Sequence, residues 1–335
     1  MFDGKKILIT GGTGSLGQAL TKRLLESNVN TIRILSRNES KQVQMSSEFS
    51  DTRLRFLIGD IRDKERLIKS MEDIDIVFHA AALKHVPIIE YNPFEAIKTN
   101  VVGSQNVIDA SLIQDVEKVI CIGTDKAVSP LNTYGATKLL MEKLFISANN
   151  YLNIDKSRTK FFAVRYGNVF GSSGSVIPIF LEQAKNNKKI TITNEAMTRF
   201  SITMDQALDF ILDCTINGKA AEIYVPKIKG YSISQIKDVF QESFDNCEIE
   251  NIGIRPGEKL HEVLINQEEM RYCWDLEHKF MISNPAVKDN DVIDSYNSNI
   301  KKNSSLDSYT SENTEKLSID QIHELVQKFD KKLKF

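Results

Sequence analysis

The sequence predicts an α/β protein, a doubly wound parallel sheet followed by a smaller C-terminal lobe. Three observations carry this. Short apolar runs alternate with longer helical patterns through the first half, and a glycine-rich turn directly follows the first run. From about Tyr166 onward that alternation gives way to an irregular pattern. The expected divisions are 1–165 for the sheet, 166–282 mainly for the lobe, and 283–335 for an extended segment closed by a helix.

In chain order, "KKILIT", "IRILS", "LRFLIGD", "DIVFHAAA", "KVICIGT" and "KFFAVRYGN" read as strands. Each is too short for a helix, and most are rich in Ile, Val and Phe. "SLGQALTKRLLES" and "PFEAIKTNVVGSQNVIDASLI" carry helical patterns between them. Such alternation builds a parallel sheet covered on both faces. No repeat of fixed period is present. The stretch from Ser283 to about Thr314 is rich in Ser, Asn and Asp, and reads as an extended surface segment or a partly mobile one. A helix then closes the chain. Ser318 and Gln321 have capping-box spacing, and Ile319, Ile322, Leu325, Val326 and Phe329 share one apolar face. That face docks on its own subunit or on a neighbour.

The composition is that of an ordinary globular chain, with 41% hydrophobic and 26% charged residues among 335. A formal net charge of −2 leaves no electrostatic footprint for nucleic acid or an anionic membrane. Cys121, Cys214, Cys247 and Cys273 are far apart and show no metal spacing, so they read as reduced thiols. "MFDGKKILIT" lacks the apolar core of a leader, and no run approaches ~20 apolar residues. A cytoplasmic location is expected. His79, His85 and His261 share no HxxxH or HExxH spacing, so no metal is expected. His79, inside an apolar strand, reads as a hydrogen-bonded core residue.

After the first strand, "GGTGSLG" places Gly11, Gly14 and Gly17 at GxxGxxG spacing. An isolated pattern of this kind is an ordinary strand–helix turn. Between an N-terminal strand and a helix, it reads as the pyrophosphate turn of a Rossmann-type dinucleotide site. The second strand ends "ILSRNESK", with Ser36 and Arg37 at its tip and Lys41 nearby. NAD sites usually carry an acid there. A hydroxyl and a guanidinium suit a 2′-phosphate, so NADP is expected, with Glu39 leaving NAD as the alternative. Asp60 is placed for the adenine ring, Ala80 and Ala81 for the nicotinamide ribose, and Asn100 as a hinge for that wall.

"TDKAVSPLNTYGATK" sets Tyr134 and Lys138 on one helix face behind the fifth strand. Alone, YxxxK reads as a solvated helix face; behind a dinucleotide turn it reads as a catalytic pair. A free phenol, with a pKa near ~10, is a poor base until a neighbouring ammonium stabilises the phenolate. Thr124 can orient the same alcohol. Arg199 and Arg255 are cationic candidates for a diphosphate, because guanidinium forks match phosphate oxygens.

These motifs, together with "RYGNVFGSSGSVIP", "MTRFSIT" and "RPGEKLHEVL", resemble the extended short-chain dehydrogenase/reductases that act on nucleotide sugars. Within them the chain is similar to the inverting UDP-N-acetylglucosamine 4,6-dehydratases of pseudaminic acid synthesis. The resemblance covers nearly the whole chain. It implies NADP contacts extending to Thr13, Ser15, Leu16, Asn38, Ile61 and Lys84, and substrate contacts at Lys84, Lys126, Asn168, Val176, Thr193 and Glu258. It also implies a homo-oligomer, a dimer or hexamer.

An epimerase needs only the Tyr–Lys pair, whereas a dehydratase must also remove the C5 proton and expel the C6 hydroxyl. Asp125–Lys126 offers that second acid–base set. Retaining relatives usually carry Asp–Glu there, and related enzymes that epimerise further carry Met in place of Tyr134. Gly123 departs from the usual serine, with little change in chemistry expected because Thr124 is retained. The rivals are a related epimerase or dehydratase for another sugar nucleotide, and a non-catalytic NADP-binding sensor. The intact Thr124–Tyr134–Lys138 set argues against the sensor.

Overall fold

The computed structural model describes residues 2–152, 158–171, 176–186, 188–244, 248–303 and 305–332. Cys247 and most of the loop before Val176 lie outside them. All six expected strands form: β1 (Lys6–Thr10), β2 (Thr31–Ser36), β3 (Leu54–Ile58), β4 (Ile76–His79), β5 (Lys118–Ile122) and β6 (Lys160–Val164). They pair in parallel in the order β3-β2-β1-β4-β5-β6. The order reverses between β1 and β4, which opens a crevice at their carboxyl ends.

Later strands continue the same sheet. We number β7 (Ile190–Ile192), β8 (Thr198–Phe200), β9 (Ile223–Pro226), β10 (Gly230–Ser232), β11 (Ile249–Asn251), β12 (Val263–Ile265), β13 (Cys273–Asp275), β14 (Lys279–Ile282), β15 (Lys301–Lys302) and β16 (Tyr309–Thr310). β9 adds in parallel to β6, then β14, β13 and β15 follow antiparallel. Three small pairs, β8–β10, β7–β11 and β12–β16, stand apart from it.

The helices are α1 (Ser15–Leu25), α2 (Glu39–Phe49), α3 (Lys64–Met71), α4 (Val86–Tyr91), α5 (Pro93–Ala96), α6 (Gly103–Ile113), α7 (Thr133–Ala148), α8 (Val176–Lys185), α9 (Met204–Asn217), α10 (Ile233–Ser243), α11 (Gln267–Met270), α12 (Asp289–Ser295) and α13 (Ile319–Lys332). Alternate strand residues feed two cores. Leu8, Val77, Val119 and Phe161 pack with Leu67 of α3, Val107 of α6 and Phe145 of α7. Ile7, Phe78, Ile120 and Phe162 pack with Leu20 of α1, Met45 of α2 and Ile211 of α9. Both faces are covered, as an all-parallel region requires.

The long helix expected over 93–113 is broken by a π-helical turn, Ile97–Val102. Asn100 on that turn is fully buried. Its side chain accepts from Leu83 N–H at 2.8 Å and donates to Leu83 O and Thr137 Oγ1 at 3.0 Å. It therefore ties the loop after β4 to α7 as a strut, and the wider turn brings it into reach.

The segment from Ser283 is more than an extended surface stretch. It carries α12 and β15, and β16 pairs with β12. Its Val292, Ile300, Tyr309 and Ser311 are buried. The capping box of Ser318 and Gln321 forms, and α13 lays Ile322 and Val326 against Phe180 and Phe240 of its own subunit. Among the described residues no helix is long and apolar enough to cross a membrane.

His79 is a core residue. Thr10 Oγ1 lies 2.8 Å from Nδ1, Ser104 Oγ lies 2.9 Å from Nε2, and the ring stacks on Phe145. Burial, with Lys138 nearby, pushes its pKa from 6.5 to about 3. The unfolded chain thus binds the extra proton between those values, so stability falls as pH drops below about 6.5. Melting temperature measured from pH 7 to 4 should decline less steeply in His79→Gln than in the parent. Equal slopes would exclude His79 as the source.

Candidate active site

Turns at the carboxyl ends of β1, β4, β5 and β6 build the site. At the first, Gly11 has φ +68°, and a Cβ there would lie 2.8 Å from Ala81 Cα. Only glycine lets this turn approach the β4 end so closely. No side chain caps α1 at Gly14, which leaves its first-turn N–H groups for an incoming anion. Thr13 is buried and Leu16 packs inward, whereas Ser15 is exposed. The cradle fits a pyrophosphate.

At the tip of β2, Ser36 Oγ accepts from Gln42 Nε2 at 3.0 Å. Asn38 caps α2 by accepting from Lys41 N–H at 2.9 Å, a structural task that sequence reasoning did not give it. Arg37 is exposed, 3.9 Å from Asp60, while Lys41 is exposed on α2. Arg62 donates twice to Asp60; burial alone would raise that carboxyl, but these bonds hold it below its ordinary value. Ile61 is buried beneath α6, against the position of Gly103.

Beyond β5, Gly123 N–H donates to Val164 O at 2.6 Å and Asp125 N–H to Tyr166 O at 3.2 Å, which fastens this turn to β6. Thr124 caps a single 3-10 turn, Asp125–Ala127. Asparagine 132 caps α7 through Gly135 N–H and donates to Gly257 O on the opposite wall. A Cβ at Gly135 would sit 2.3 Å from Lys126 O, so glycine alone lets α7 lie against the acid–base turn. Gly123 is held at close quarters. A Cβ there would stand 2.7 Å from Val164 O and 3.3 Å from Glu142 Oε2, so serine requires the backbone to shift.

A cavity of about 480 Å³ opens at this point. Lys84, Thr124, Lys126, Tyr134, Asn168, Val176, Thr193, Arg199, Arg255 and Glu258 all line it. Residues scattered over more than half the chain therefore share one wall. Asp125 and Lys138 stand behind it, buried. The Lys126 ammonium donates to Asn168 Oδ1 at 3.0 Å and Asp125 Oδ1 at 3.2 Å, and reaches Glu262 Oε1 at 3.5 Å. Burial alone would lower its pKa, but Asp125, Glu262 and Tyr134 together raise it, so it is held as an ammonium. Thr124 Oγ1 donates to Asp125 Oδ1 at 2.9 Å, and Asp125 Oδ2 is buried without a hydrogen-bond partner. An orphaned carboxylate oxygen is costly to keep, which marks it as reserved for a proton or a ligand.

Tyr134 is raised by burial, and the opposing influences are Lys126 and a hydrogen bond with Thr124. Lys138 lies on the same buried face of α7 as Tyr134. Its ammonium donates to Ile122 O at 2.7 Å, and burial lowers its pKa. Sequence reasoning missed Glu262, Lys259 and Tyr231, all on the cavity wall. Lys259 donates to Val128 O, and Tyr231 pairs across β10–β8 with Arg199. Glu262 lay within a quoted motif; an acid opening a buried strand was its signal.

The model of the polysaccharide biosynthesis protein family matches residues 7–284. An inverting UDP-N-acetylglucosamine 4,6-dehydratase of Campylobacter jejuni is 48% identical over 86% of this chain and 85% of its own. A UDP-glucose 4-epimerase of Rickettsia bellii is 41% identical over 98% and 97%. Among solved structures, Pen from Bacillus thuringiensis superposes with a TM-score of 0.89 at 38% identity, covering 98% of this chain and 99% of that one.

Proposed function

The chain belongs to the polysaccharide biosynthesis protein family, and on that premise we propose that it is an NADP-dependent UDP-N-acetylglucosamine 4,6-dehydratase inverting C5. The observation that carries this reading is the Lys126 ammonium. It is seated on Asp125 in the same cavity wall as Tyr134. A UDP-hexose 4-epimerase, raised by the rickettsial relative, would leave that second set without a task.

A nicotinamide dinucleotide bound at the Gly11–Gly17 turn would supply the hydride acceptor at C4 and the donor at C6. Tyr134 takes the C4 hydroxyl proton while Thr124 orients the oxygen. Asp125, behind the wall, accepts a proton from Lys126 across their hydrogen bond, and the freed amine removes the C5 proton, now acidic beside the C4 ketone. Lys126 protonates the departing C6 hydroxyl, which leaves as water. The proton on Asp125 then restores the Lys126 ammonium across their hydrogen bond. The proton that Tyr134 took from the C4 hydroxyl, exchanged with solvent, balances the one that C5 receives as hydride returns to C6. Inversion follows when that proton arrives on the face opposite to the one vacated. The balance is loss of one water with no net redox change. Arg199 and Arg255 hold the diphosphate, Glu258 the ribose, and Val176 with Thr193 the uridine end. The homo-oligomer we propose is supported by exposed Ile88, Tyr91, Phe94 and Leu140 on α4, α5 and α7. A cytoplasmic site agrees with buried, unpaired Cys121, Cys214 and Cys273.

Mass spectrometry of the purified protein with UDP-N-acetylglucosamine tests the reading. Loss of one water supports it, whereas an unchanged mass with an altered sugar would make the protein an epimerase. No turnover would favour a sensor. In D₂O the product should carry deuterium at C5 in the L-configuration, and a D-configured product would overturn inversion.

Arg37 decides the cofactor prediction. Arg37→Ala should weaken NADP binding by roughly 10- to 100-fold, the cost of one charge-assisted bond, and NAD binding far less. Calorimetry giving equal losses would remove Arg37 from the 2′-phosphate.

A further inference from the structure

Glu262 stands immediately before β12, which packs against the acid–base turn, and is buried. One oxygen, Oε1, lies 3.5 Å from Lys126 Nζ and 3.7 Å from Arg199 Nε. It thus joins the lysine that faces the sugar to the arginine that faces the diphosphate. Its own position is fixed from behind. Glu262 N–H donates to Ser311 Oγ at 2.8 Å, Ser311 N–H donates to Glu262 O at 2.8 Å, and Ser311 Oγ lies 2.7 Å from Thr198 Oγ1, beside Arg199. Ser311 is fully buried and lies beyond the end of the family match.

We propose that Glu262 is a positioning residue for the second half of the reaction. It seats the Lys126 ammonium as a second carboxylate beside Asp125, and the C-terminal segment holds it there through Ser311. The inference rests on the dehydratase reading, since only elimination uses Lys126 as an acid. The groups that face Lys126 are Asp125 on its own turn, Tyr134 from α7, Asn168 after β6, Tyr231 from β10 and Glu262 before β12, with Lys259 beyond. Removing Glu262 takes away one of the two carboxylates that hold the proton on Lys126. It also frees Arg199 from its only carboxylate partner among the described residues.

The test compares the parent with Glu262→Gln, Glu262→Asp and Ser311→Ala. In Glu262→Gln, C4 oxidation, read as the near-ultraviolet absorbance of reduced nicotinamide, should stay within a few-fold of the parent. Water loss and C5 deuterium exchange should fall about 100-fold, the scale of a misplaced catalytic group. The alkaline limb of turnover should move to lower pH. Glu262→Asp should recover part of the loss, and Ser311→Ala should show the same pattern more weakly. Parental water loss in Glu262→Gln would overturn the proposal, as would an equal fall in both steps, which a merely structural role produces.

A second readout needs no turnover. Brief acetylation with acetic anhydride at alkaline pH, followed by mass spectrometry of the Lys126 peptide, reports the neutral fraction of that amine. Glu262→Gln should label about tenfold faster than the parent, the factor for one unit of pKa. Equal labelling would sink the inference even if the parent loses water. Faster labelling would uphold the seating of Lys126 even if the substrate reading failed.

Discussion

Tyr134→Phe is expected to abolish the transient reduced-nicotinamide signal and lower turnover by roughly 10²–10⁴-fold. The phenol is the group placed to take the C4 proton. Burial raises its pKa, and what opposes burial is the charge on Lys126 and the bond with Thr124. Removing the hydroxyl leaves the ring in place among Ile89, Ala96 and Leu83, so the fold and the cavity should survive. UDP affinity by calorimetry should therefore stay within a few-fold. A normal transient in this variant would assign the C4 base to another group.

Lys126→Met should be as damaging overall, again roughly 10²–10⁴-fold, but with its loss divided between two steps. Elimination loses its acid, so the 4-keto sugar forms without shedding water. Oxidation also slows, because Lys126 is a cation that acts on Tyr134. Rapid-quench mass spectrometry should show the 4-keto sugar building up at a reduced rate, with little deuterium entering C5. Full dehydratase activity would remove Lys126 from the acid–base set. In contrast, Glu262→Gln leaves the Tyr134–Lys126 pair in place and separates the two steps more cleanly.

The parallel sheet was legible because β-branched runs alternate with amphipathic helices, a pattern fixed within each segment. The glycine turn was legible for the same reason, since Gly11 answers a local need for positive φ. The acid–base turn was legible as a motif, but its wiring was not. Helical spacing placed Tyr134 and Lys138 on one face, but could not show that this face is buried or that Lys138 turns toward the β5 carbonyl. Glu262 stayed hidden because its partner Lys126 is 136 positions away, and only folding brings the two together. Low apolar content in 283–314 suggested a surface strap. A few residues, Tyr309 and Ser311 among them, outweigh that average by filling places that β12 and β8 leave open.

The brace behind Glu262 bears on the order in which this protein is made. Strands β1 to β6 and the lysine turn leave the ribosome well before residue 311 is translated, and chains generally fold as they emerge. A nascent chain halted short of Ser311 can already close the glycine turn and the first sheet faces. It still lacks the hydroxyl that pins Glu262 and Thr198 together. Such a chain would hold cofactor without a finished elimination site. On the proposed role of Glu262, competence for elimination arrives only when the last stretch of polypeptide docks, after the nucleotide fold has formed.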